Sequence, residues 1–161
     1  MQGCSRRDLW ISRKSGRSRT ATYQKVKREA IASERGMEVP MTVKHANDVQ
    51  AMDVAAGKDT TIQVLISSRE GPNFALRRFT MQPAGGMPRH TNTVEHEQYV
   101  LRGRATITIG DETHEVKAGD VVFIPEGVIH SYQNTGQEPF EFLCIIPNKE
   151  DKVTIVDEAS C

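Results

Sequence analysis

The chain has 161 residues, with 21 Lys and Arg against 21 Asp and Glu, and three cysteines, Cys4, Cys144 and Cys161. That length is enough for one domain with a moderate core. The odd, widely spaced cysteines exclude a disulfide framework and suit a reducing compartment. No apolar run approaches a membrane span, and the N-terminus lacks the apolar stretch of a secretory signal. A soluble cytoplasmic protein without a membrane partner is expected.

The neutral total hides an uneven spread of charge. Residues 1–40 carry ten Lys and Arg against four Asp and Glu, a net +6, and residues 41–161 carry eleven against seventeen, a net −6. Residues 1–36 are rich in Arg, Lys, Ser and Thr, with Trp10 and Ile11 isolated, and cannot bury enough surface to offset their ordering entropy. A short helix over 23–35 has few apolar positions to hold it. The segment reads as a flexible basic extension: a tail, translated sequence ahead of a start at Met37 or Met41, or a nucleic-acid-binding arm. Composition favours the first two, so no nucleic-acid partner is expected.

From Met41 the character changes. Residues 42–58 are mixed, suited to a loop, short strand or turn of helix over the body of the domain. From Thr60 onward, short β-prone runs alternate with turn signals. The first is Thr61 to Ile66. The next is Phe74 to Met81, closed by Pro83-Ala84-Gly85-Gly86, and Gln98 to Leu101 ends at Gly103. Arg104 to Ile109 alternates and stops at Gly110-Asp111, a hairpin signal. His114-Glu115-Val116 returns, Ala118-Gly119-Asp120 turns, and Val121 to Ile124 closes at Pro125. Phe140 to Ile146 is the last strong run, ended by Pro147. Regular short strands punctuated by Gly and Pro predict an all-β antiparallel sandwich or barrel.

Three histidines stand out within this pattern. On extended chain His90 and Asn92 share a face, as do His96 and Gln98, while Glu95 and Glu97 point the other way. His130 follows Pro125-Glu126-Gly127, a rigid turn that sets its strand entry, and Tyr132 shares its face. Imidazole is the commonest protein ligand for first-row transition metals. Convergence of all three inside one barrel would make a metal site with open positions. His45 and His114 read as surface or hydrogen-bonded residues, His114 beside Glu112 and Glu115.

These stretches resemble the cupin superfamily. Gly119, Pro125, Gly127, His130 and Asn134 fill every position of its second motif. In the first motif, His90, Asn92, His96 and Gly103 occupy the His, His, Glu and closing Gly places, and the opening Gly is displaced from Ala84 to Gly85. His96 in the Glu place is similar to small single-domain cupins that bind metal through four histidines. Asn92 departs from that set. It could ligate through its amide oxygen, orient a bound water, or mark reduced metal affinity.

The resemblance covers roughly residues 60–147 of a single domain over 41–161. It implies a double-stranded β-helix (jelly-roll) barrel, a homodimer, and one divalent transition metal on His90, Asn92, His96 and His130. Mn or Fe is favoured over Ni, Cu and Zn. The expected activity is dioxygenase-like chemistry on a small-molecule substrate. The alternatives are a metal-dependent isomerase or lyase and a non-catalytic ligand-binding or sensing domain. Gln98, Tyr132, Phe142 and Cys144 are the candidate substrate contacts. Arg77 and Arg78 face opposite sides of one run, so whichever points inward could take a substrate carboxylate.

Overall fold

The structure, a computed structural model, describes residues 42–156. The basic segment 1–40, with Cys4, and the C-terminal Cys161 lie outside the described residues. One turn of 3-10 helix, Ala46–Asp48, precedes ten strands. These are β1 (Met52–Asp53), β2 (Lys58–Ile66), β3 (Phe74–Thr91), β4 (His96–Arg102), β5 (Arg104–Ile109), β6 (Glu112–Lys117), β7 (Val121–Ile124), β8 (His130–Asn134), β9 (Phe140–Pro147) and β10 (Thr154–Ile155). Strands therefore continue past Pro147. Among the described residues no helix is long and apolar enough to cross a membrane.

All pairings are antiparallel, in the order β6-β5-β8-β3-β9-β4-β7, with β2 and β10 also on β3 and β1 on β2. β3 belongs to both halves of the jelly roll. Its first part, Phe74 to Met81, pairs with β9, and its last part, Gly86 to His90, pairs with β8. The sequence predicts a chain break at Pro83-Ala84-Gly85-Gly86. The strand instead runs through it and turns the corner between the halves. Ala84 takes φ of 61° there, a left-handed conformation, at the place where the family pattern has glycine. A Cβ on Gly86 would collide with the backbone carbonyl of Tyr132, so only glycine lets β3 and β8 approach this closely.

Alternation sends one side of each strand into a shared core. β9 buries Phe140, Phe142, Cys144 and Ile146, and β8 buries His130, Tyr132 and Asn134. Met81, Val100, Ala105, Ile107, Val116 and Ile124 complete the packing from both halves. β5 and β6 form the hairpin expected at Gly110-Asp111, with Ile109 opposite Glu112.

Candidate functional site

Register assembles the site at one end of the barrel. β3 and β8 pair Met87 with Tyr132 and His90 with His130, so three steps on β3 face two on β8. The extra residue is a bulge at Pro88-Arg89, and Pro is tolerated at bulges because it cannot donate to the ladder. The bulge brings both Met87 and His90 onto the pocket wall, which strict alternation would forbid. β4 adds His96 and Gln98 from the same inner face, with Gln98 opposite Cys144 on β9. The second-motif turn is tied to the first-motif strand through Gly127 N–H donating to Asn92 O at 2.9 Å.

The imidazoles are buried and oriented. The rings of His90 and His130 are 4.1 Å apart centre to centre, and those of His96 and His130 are 5.4 Å apart. Nδ1 of His90 lies 2.8 Å from Pro88 O, and Nδ1 of His130 lies 2.9 Å from Val128 O. A carbonyl only accepts, so both Nδ1 atoms carry the hydrogen and each Nε2 keeps its lone pair. Nε2 of His96 and of His130 are buried without a partner, and so is Oδ1 of Asn92. Asn92 Oδ1 and His130 Nε2 are acceptors, and acceptors left bare in a protein interior are costly unless something electron-poor meets them.

Desolvation is the main cause holding all three imidazoles below their usual range. His96 is pushed down to about 3, with Arg77 and the other two histidines adding to the effect, and His130 is pushed down to about 4. His90 is also lowered. At neutral pH the rings are neutral, the form that binds metal. In the metal-free protein, stability should fall as the solution is acidified below pH 6.5. There His96 and His130 take up protons in the unfolded chain that they refuse in the folded one until about pH 3 and about pH 4. Each contributes at most about 1.4 kcal/mol per pH unit across that window. Denaturant midpoints between pH 7 and 5 check this. A His96→Gln chain should show a shallower slope, and an equal slope would contradict the assignment.

The other predicted residues meet the same cavity. It measures about 190 Å³ and is largely apolar, with Phe79, Met81, Met87, Phe142 and Val153 among its walls. Gln98 Nε2 donates to the Tyr132 hydroxyl at 2.6 Å. Burial pushes the Tyr132 hydroxyl above its usual range, so it stays protonated and its own hydrogen is free to donate. Of the two arginines, Arg77 points inward and stacks over Phe79, while Arg78 bonds Gln63 and Asn47 on the outer side. Arg77 donates to Cys144 Sγ at 3.3 Å. Burial raises the Cys144 thiol, so this cysteine is a neutral wall rather than a nucleophile. His45 caps the 3-10 turn, and His114 is half-exposed beside Glu112.

Sequence reasoning missed Asp151. It lies beyond the last predicted strand, on the segment that crosses from β9 to β10 and lines the pocket with Asp151 and Val153. Both its carboxylate oxygens accept from Asn92 Nδ2 at 2.9 Å, and Arg77 stands 3.7 Å away. Nothing in the sequence marks a pairing of residues 59 positions apart.

Among the described residues, no three His, Cys, Asp or Glu side chains already stand at ligand spacing. The donor chemistry nevertheless fits a transition metal. Two imidazoles bonded to one ion at about 2.1 Å hold their centres roughly 4.5–5.5 Å apart; the 5.4 Å between His96 and His130 lies within that span, and the 4.1 Å between His90 and His130 is tighter.

A jelly roll with histidines from β3, β4 and β8 gathered inside one end defines a cupin. The cupin domain model matches residues 77–146, and the chain belongs to that family. It is 30% identical over 98 residues to an oxalate-binding protein of Thermotoga maritima, covering 58% of this chain and 81% of that one. The polyketide cyclase RemF of Streptomyces resistomycificus superposes with a TM-score of 0.69 at 33% identity, over 74% of this chain and 88% of that one. An uncharacterized protein of Methanocaldococcus jannaschii, MJ1618, is 40% identical over 52 residues, which are 32% of this chain and 42% of that protein. For that relative the match spans less than half its length.

Proposed function

We propose that this cupin holds one divalent transition metal, with Mn or Fe favoured, on His90, Asn92, His96 and His130, and uses it on a small-molecule substrate in dioxygenase-like chemistry. The observation that carries the reading is the set of buried, partnerless polar atoms Asn92 Oδ1, His96 Nε2 and His130 Nε2. When bound, the metal would supply open coordination positions for O2 or an oxygen-bearing substrate. Four neutral donors leave its charge uncompensated, which favours a substrate with a carboxylate or enolate.

The chain's own groups suit that role. At about 190 Å³ the cavity is smaller than the roughly 300–1,000 Å³ that takes drug-sized ligands. Its walls are largely apolar. Tyr132, steadied by Gln98, offers a hydroxyl hydrogen to a substrate oxygen, and Arg77 supplies the cation among the lining residues. Metal analysis of purified protein, with O2 uptake over a panel of small acids, tests the reading. Less than a tenth of an ion per chain after metal loading would sink it.

A second reading is a metal-dependent isomerase or lyase acting on a carbonyl compound. The 33% identity to a polyketide cyclase favours it, and turnover without O2 would select it. Pairing into a homodimer fits the outer face of β4, β7 and β9. Tyr99, Leu101, Val121, Phe123 and Ile145 are exposed there, an apolar cluster of a kind that commonly marks an interface. Glu97 sits opposite Phe123 and Ile145 with Oε2 covered and unpartnered, a group that a donor from a second copy would satisfy. Sedimentation should report a dimer, and Phe123→Lys, placing like charges across a two-fold axis, should give a monomer. A wild-type monomer at high concentration would refute the pairing.

A further inference from the structure

We propose that Asp151 is a positioning residue that turns Asn92 into the fourth donor of the site, an Asp–Asn pair standing where an imidazole would otherwise be. The inference rests on the metal reading above. A carboxylate can only accept hydrogen bonds. With both Asp151 oxygens 2.9 Å from Asn92 Nδ2, the amide must present its NH2 to Asp151. Its Oδ1 is therefore forced the other way, where it is buried and unpartnered. Swapping the amide atoms would set oxygen against carboxylate, so the orientation follows from chemistry. The carboxylate also draws the amide protons and enriches the carbonyl oxygen, which strengthens a neutral donor otherwise weaker than imidazole.

The clamp is itself held. Thr93 Oγ1 donates to Glu150 O at 2.9 Å and accepts from Lys152 N at 2.8 Å, and Val156 N donates to Arg89 O at 2.8 Å. These bonds bracket Asp151 and fix the crossing segment against the end of β3. Arg77, 3.7 Å from Asp151, draws the carboxylate toward the pocket.

The test is a thermodynamic cycle read by Co2+ binding, using full-length protein, a competing chelator and the visible absorption of the bound ion. Asp151→Ala and Asp151→Asn should each bind about 10–100-fold more weakly than wild type, with an altered Co2+ spectrum. Asparagine at 151 can donate as well as accept, so it no longer dictates which way Asn92 turns. It also keeps the side-chain shape if the alanine variant folds poorly. In an Asn92→Ala background, Asp151→Ala should cost nothing further. Wild-type affinity and spectrum in both single variants would overturn the proposal. An undiminished loss in the Asn92→Ala background would overturn it too, since Asp151 would then act through the strap rather than through Asn92. If wild type binds no Co2+ at all, the metal reading fails and the clamp with it.

Discussion

Replacing His130 by alanine should abolish stoichiometric metal binding. His130 is the centre of the constellation: its ring neighbours His90, His96 and Tyr132 at 4.1, 5.4 and 5.8 Å, and it is 1% exposed. Losing an outer hydrogen-bond partner of a ligand costs roughly 10–100-fold in affinity, and losing the ligand itself should cost more. It would also leave His90 without the neighbour whose ring packs against it. His114→Ala is the matched control. That side chain is 49% exposed beside Glu112 on the β5–β6 hairpin and does not line the pocket, so metal content should not change. Metal analysis after dialysis decides the matter. A His130→Ala chain holding one ion at wild-type affinity would remove the site from the barrel interior.

The largest loss of stability should come from Gly86→Ala. A Cβ there meets the Tyr132 carbonyl oxygen, with Tyr132 C at 3.1 Å and Gln133 Cα at 3.3 Å. All three are backbone atoms, so no side-chain rotation relieves the clash. Lys58 of β2 pairs with the same residue, which blocks retreat to the other side. Overpacking usually costs about 1–3 kcal/mol, and a clash with paired backbone belongs at or above the top of that range. For a domain of this size about 3 kcal/mol lowers the melting temperature by roughly 6–12 °C. Gly110→Ala makes the comparison. It has open space around the new Cβ but a φ of 60°, and should cost about 1 kcal/mol. Equal melting temperatures for the two variants would show that the β3–β8 approach is not tight.

Much of this was legible in the chain. The alternation of Phe140, Phe142, Cys144 and Ile146 predicts the inner face of β9, and Gly110-Asp111 predicts the β5–β6 hairpin, because both signals are local. The second motif was readable for the same reason: Gly127 has a φ of 77°, and Asn134 braces the loop by donating to Met81 O and Glu138 O. What escaped was non-local. The Pro83 to Gly86 stretch reads as a terminator, yet tertiary pairing on both sides carries the strand through it. Asp151 meets Asn92 only after the barrel closes. The choice between Arg77 and Arg78 depended on a register that β9 sets.

The bulge at Pro88-Arg89 acts as a phase shifter for the chemistry. Upstream of it, odd-numbered residues such as Met87 look into the barrel; downstream, even-numbered ones, His90 and Asn92, do. Removing a single residue there would leave composition, motif residues and strand count almost intact. It would also turn half the donor set toward solvent. Whether this barrel has a reactive interior or an inert one thus depends on the parity of a count, and relatives that differ by one residue at this point should differ in kind rather than in degree.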